Sequence, residues 1–287
     1  MAAERYFRFA QLDVPGRLGI EDGRYLLRSE DESAEAVVVV QTLGAPAAVR
    51  RSARRRRPRP AAPEAGPAEV PLTRLTVIPA DETDRGAAER ELERLGRDGE
   101  AAEAALGDGL RAVNEVLRVH QVATGDPYGH EISRDAALTT RVGYGTGAGL
   151  AEGRWEEALE LQPSERRRRR AEALRPQERL AAVLAGREPI DICETLLLRA
   201  RADLDQGRRR EASLQLKAGL EALLAELPQS AGPDQEEDLA ALDAARADVA
   251  RGAREALDGD LPPGSAERLA DTLAICERVL RRRQILR

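Results

Sequence analysis

The sequence predicts an α+β protein, with a small N-terminal β module followed by a predominantly α-helical bundle or short solenoid. Three observations predict it. The apolar residues near the N-terminus come in short runs rich in valine and aromatics. From Asp84 onward, leucine, valine and alanine recur at three- and four-residue steps, the helical period. Of 287 residues 42% are hydrophobic, but alanine supplies roughly 50 residues and aromatics only 2%, so the core must come from leucine, valine and alanine.

The elements follow in order. Arg5 to Ala10 (RYFRFA) reads as a strand, and Gly23 to Arg28 follows an Asp22-Gly23 turn signal, so a hairpin is expected between them. Ala36 to Leu43 (AVVVVQTL) suits a strand buried on both faces, although its length alone also fits a helix. Gly44 to Pro71 is rich in proline, alanine and arginine with almost no core formers and reads as a disordered segment. Leu72 to Ile78 (LTRLTVI) reads as one more strand. The segment 44–71 therefore suits a long insertion in a strand connection, since each doubling of loop length costs only about 0.6 kcal/mol. The β module spans residues 1–83 and the helical region 84–287.

Leu92, Leu95, Gly99, Ala102, Leu106, Leu110, Val113, Leu117 and His120 fall on one helical stripe. Gly96, Gly99, Gly107 and Gly109 weaken it, so either two helices meet near Gly107 or one long helix has thin places where another backbone approaches. Gly125-Asp126-Pro127 ends it, and a glycine-rich loop at 125–153 follows, with a strand expected at Thr139 to Tyr144. Helices are expected at Arg175 to Ala185, Ile190 to Gln206, Arg208 to Leu227 and Asp234 to Leu257. A last one runs from about Ser265, a natural N-cap, to Arg283.

With 51 acidic and 45 basic residues the net charge is -6. No apolar run approaches about 18 residues, which excludes a membrane span, and the composition excludes a collagen or a disulfide scaffold. The N-terminal residues lack the apolar core of a secretory signal, so the expected compartment is cytoplasmic and Cys193 and Cys276 are expected to be reduced and buried.

Residues 193–227 resemble a single degenerate tetratricopeptide-type helical hairpin, on Leu196, Ala200, Gly207 in the turn, Ala212 and Leu220. The usual aromatics are missing and the closing proline is displaced. Gly153 to Leu159 (GRWEEAL) is similar to the turn and second helix of the same repeat, but lies out of register with the first. The resemblance implies a protein-binding surface and no chemistry.

The candidate sites are few. Gly143, Gly145, Gly147 and Gly149 are spaced G-x-G-x-G-x-G, with Ala148 where a dinucleotide fingerprint needs its third glycine, so the run reads as a loop with close backbone approach. His120 and His130, even with Asp126 and Glu131, match no closed metal site; no metal and no cofactor are expected. Polar and aromatic residues meet glycine at Tyr128, His130, Asp135, Arg141 and Tyr144, the place to look for a ligand or for an enzyme of unnamed class acting from the 125–155 loop. The only lysine, Lys217, is expected on the polar side of its helix. Arg50 to Arg59 holds seven arginines in ten residues, with Arg54, Arg55, Arg56 and Arg57 at its centre, a tract suited to nucleic acid or an acidic partner. Arg166 to Arg170 and the triplets at 208–210 and 281–283 read as solvated helix faces. The leading expectation is a non-enzymatic module whose helical surfaces bind another protein or a second copy of the chain.

Overall fold

The computed structural model describes residues 5–28, 33–44, 70–162, 176–226, 233–259, 261–262 and 264–286. The chain divides into two compact units, Met1–Arg168 and Arg169–Arg287.

The first unit is built on one antiparallel sheet. Its strands are β1 (Tyr6–Pro15), β2 (Gly23–Arg28), β3 (Ala34–Leu43), β4 (Leu72–Pro79), β5 (Glu82–Thr83), β6 (Thr139–Thr146) and β7 (Glu157–Glu160), in the order β2-β3-β4-β1-β6-β7 with β5 beside β1. The expected hairpin between residues 5–10 and 23–28 does not form, because β1 lies between β4 and β6 while β2 pairs with β3. Burial explains the arrangement. Phe9 through Val14 are buried without alternation, which requires cover on both faces and hence a central strand, whereas β2 alternates half-buried and exposed residues as an edge strand does. Asp22 serves the β2–β3 pair instead, accepting from the Thr42 amide at 3.0 Å and the Thr42 hydroxyl at 2.6 Å.

β3 and β4 pair in register from Ala36 opposite Pro79 to Leu43 opposite Leu72, so segment 44–71 connects adjacent strands. Residues 45–69, including the Arg50–Arg59 tract and the disorder expected there, lie outside the described residues.

Two helices cover one face of the sheet, α1 (Arg85–Arg97) and α2 (Gly99–Thr124). They separate at Asp98, not at Gly107. The Asp98 carboxylate accepts from the Ala101 amide at 3.0 Å, capping α2, while its own amide closes α1 on the Arg94 carbonyl. Gly107 is an interior helical residue. Gly109 is the thin place, since a Cβ there would lie 2.5 Å from the Cβ of Ala10 on β1. Ala102, Leu106, Val113, Val116 and Leu117 pack on Ala10, Leu12, Val38, Val40, Leu75 and Val77 in one core. The sequence divides the chain after residue 83, yet the first unit runs to Arg168, because this helical stripe is buried on the sheet and β6 and β7 extend it. Periodicity identifies such a stripe but not its partner.

The second unit holds α4 (Pro176–Leu184), α5 (Ile192–Asp205), α6 (Arg209–Glu226), α7 (Pro233–Asp258) and α8 (Ser265–Leu286); α3 is the short helix Gly147–Ala151 of the first unit. Leucines and small residues at helical spacing close a single core that includes Cys193, Leu197, Ala200, Leu216, Leu220, Leu242, Leu273 and Cys276. Because α8 packs on α5 and α6 as well as α7, the helices close into a bundle and not an open solenoid. Ser265 begins α8, but its buried hydroxyl makes no hydrogen bond, so the expected capping contact is absent.

Candidate functional site

Strand alternation places the densest polar cluster of the first unit on the sheet face opposite α1 and α2. On β1, Gln11 and Asp13 both point to that face and are almost wholly buried. Arg74 on β4 grips Asp13 with two bonds, Nε to Oδ1 at 2.8 Å and Nη2 to Oδ2 at 3.0 Å. Arg141 on β6 approaches from the other side, its Nη1 donating to Asp13 Oδ2 at 3.1 Å and to Gln11 Oε1 at 3.2 Å. Gln11 Nε2 donates to Thr76 Oγ1 at 3.0 Å. Burial pushes the Asp13 carboxyl upward, but the hydrogen bonds from Arg74 and Arg141 outweigh it and hold the pKa below the ordinary aspartate value. The Arg141 guanidinium also lies 5.6 Å from the centre of the Trp155 ring and 3.4 Å from Glu160.

The glycine-rich run makes this cover fit. After β6 the chain turns through α3, whose Leu150 packs with Phe9, Val39 and Ile78 beside Trp155. A Cβ at Gly143 would collide with the Glu157 carbonyl oxygen and the Phe9 ring, so only glycine lets β7 and the aromatic layer approach. The close approach expected of this run is present, but the run is not a loop: Gly143 and Gly145 lie within β6 and Gly147 and Gly149 within α3. The segment similar to a repeat, Gly153 to Leu159, is not helical: β7 starts at Glu157 and pairs with β6.

The sequence-selected residues do not assemble. Tyr128 is 80% exposed in the turn after α2, where its amide donates to Asp126 at 2.9 Å. His130 and Asp135 are exposed, and His120 is half-buried near the end of α2. Arg141 joins the Asp13 cluster. Tyr144 faces the opposite side of β6 and packs edge-on against Tyr6, its hydroxyl 3.4 Å from Glu157 and 3.5 Å from Glu89. Burial and the Glu89 carboxylate push its pKa up. Three residues apart on a strand, Arg141 and Tyr144 cannot share a face. Among the described residues no group of three histidine, cysteine, aspartate or glutamate side chains is placed to hold a metal ion. The partners missed by sequence reading are Gln11, Asp13, Arg74 and Trp155. Each strand did carry a signal: a charged residue inside an apolar run, at Asp13, Arg74 and Arg141.

In the second unit both thiols are shut away. Cys193 and Cys276 are fully buried, and desolvation pushes both thiols up to about 12. Lys217 is exposed on α6. The arginine triplets are drawn into internal contacts. Arg208 pairs with Asp203 at 2.8 Å and Arg210 donates to the Ala256 carbonyl at 2.7 Å. Arg282 and Arg278 both donate to Asp238, at 2.8 Å and 2.9 Å, joining α8 to α7. Arg166–Arg170, like Arg54, Arg55, Arg56 and Arg57, lies outside the described residues.

The hairpin of α5 and α6 turns at Gly207, which has φ +76° and so occupies the left-handed region that favours glycine. Ala200, Ala212 and Leu220 are buried between its helices. Glu226 at the end of α6 accepts from the Ile192 and Cys193 amides at 3.2 and 3.3 Å, fastening the open end of the hairpin to the start of α5. Just before it, α4 buries almost nothing. Arg179 tethers it through Glu194 at 2.6 Å and Glu188 at 3.8 Å, while Leu180 and Leu184, one turn apart, stand in solvent. Ile190, Ile192 and Leu198 are exposed too, Leu184 at 78% and Ile192 at 66%.

No family model, curated protein or solved structure matches the chain.

The two regions differ in what they offer chemically. In the Asp13 cluster two guanidinium groups meet one buried carboxylate, and Glu160 beside Arg141 supplies the second negative charge, so the cluster's charges are met within the sheet. The stretch from Leu180 to Leu198 presents aliphatic surface whose burial against another chain is favourable, at about 25 cal/mol per Å² of area removed from water. No helix of the described residues is long and apolar enough to cross a membrane.

Proposed function

We propose that this protein is a non-enzymatic cytoplasmic interaction module that uses its helical unit to bind another protein chain or a second copy of itself. The observation that carries the reading is the exposure of Leu180, Leu184, Ile190, Ile192 and Leu198 in one stretch of α4 and early α5. Isolated exposed leucines are ordinary on a protein surface; what supports the reading is that Leu180 and Leu184 stand one turn apart on one helix, with Ile190, Ile192 and Leu198 following closely in the chain. The tetratricopeptide-like hairpin of residues 193–227 adjoins them and supports the same reading, since such hairpins serve protein binding. Two free, buried thiols are in keeping with a reducing compartment.

Light scattering at low and moderate salt, with absorbance at 260 and 280 nm on the same peak, tests the reading. The expected result for self-assembly is a species heavier than the 31.2 kDa chain that persists in salt and reverts to monomer when Leu180 and Leu184 become serine. A peak with high 260 nm absorbance that salt strips away overturns it in favour of a second reading, a regulator that binds nucleic acid through Arg50–Arg59. That reading rests on seven arginines in ten residues, whose binding falls steeply with salt as counterions are released.

A further inference from the structure

We draw no further inference here: the strongest candidate, the exposed aliphatic surface of α4 and the start of α5 around Leu184, Ile190 and Ile192, is already the basis of the proposal above, and nothing in the structure shows what covers it.

Discussion

The two units of this chain solve the same problem, a core with almost no aromatics, in opposite ways. Every aromatic residue of the chain precedes residue 156, and most of them pack on the sheet, where Phe9, Trp155, Tyr6 and Tyr144 fill space between strands and their cover. The helical unit has none and relies on leucine, alanine and two cysteines, held by local hairpins. Glycine follows the same division. In the sheet unit Gly109 and Gly143 are sites of backbone approach, while in the helical unit Gly207 makes a turn. The polar groups divide too: the sheet unit gathers buried charges in one cluster across three strands, whereas the helical unit spreads separate ion pairs along its helices and leaves aliphatics outside. Long-range pairing demands that many distant residues agree; helical hairpins need only neighbours.

The sharpest way to break this comparison is at Asp13. Replacing it by alanine leaves two guanidinium groups half-buried without their carboxylate and is expected to cost about 3–5 kcal/mol. Urea unfolding followed by Trp155 fluorescence reads this directly, because the only tryptophan lies over the cluster. Leu216→Ala in the helical core should cost about 2–5 kcal/mol, visible as loss of helical circular dichroism at lower urea. If each unit holds itself together as described, the Trp155 transition of that variant stays where it is. A shift of both probes by the same amount would show that the division into two cores has no energetic meaning.

Gly109→Ala is smaller, about 1–3 kcal/mol by overpacking against Ala10, and should exceed the effect of alanine at Gly107, which faces no backbone and gains helix propensity. Acid sharpens the contrast further. The folded pKa of Asp13 is lowered, so its contribution is fully present above the unfolded value of about 3.9 and is lost as pH falls through the folded value. Wild-type stability should therefore exceed that of Asp13→Asn at pH 7, with the gap closing below about pH 4. A gap that persists unchanged at pH 2 would place its origin in packing. The smallest effect on stability is expected at the surface: Leu180→Ser and Leu184→Ser should each move unfolding by less than about 0.5 kcal/mol.

Much of the fold was legible in the sequence. The strands 36–43, 72–78 and 139–144, the helix ends around Gly125 and Gly207, and the burial of both cysteines follow from local period, turn chemistry and polarity. What was hidden depends on partners far away in sequence. A turn signal at Asp22-Gly23 says where a chain bends, not which strand it then joins, so it points to a β1–β2 hairpin where β2 pairs with β3 instead. Glycine's low propensity allows either a helix break near Gly107 or a thin place in one long helix; the capping carboxylate of Asp98 sets the break earlier, and Gly109 is the thin place. Of the five loop residues selected as a site, only Arg141 enters the polar cluster. Its partners Asp13 and Arg74 come from strands 128 and 67 residues away in sequence, a proximity that only the strand order creates. The signal that was available, a charged residue on the inward face of each of three strands, becomes meaningful once β1 is known to be central.

The most direct test of the account is site-specific photo-crosslinking in cells that make the protein. A photoreactive side chain at position 184 is compared with one at Gly107, half-buried on α2, where an added Cβ meets only the Arg111 guanidinium at 3.9 Å. The account predicts crosslinks to a second protein chain, identical or different, at position 184, lost when Leu180 and Ile192 are changed to serine and absent at position 107. Crosslinks at 184 no more abundant than at 107 would contradict it, and would leave the helical unit a free-standing bundle whose exposed aliphatics serve no interface.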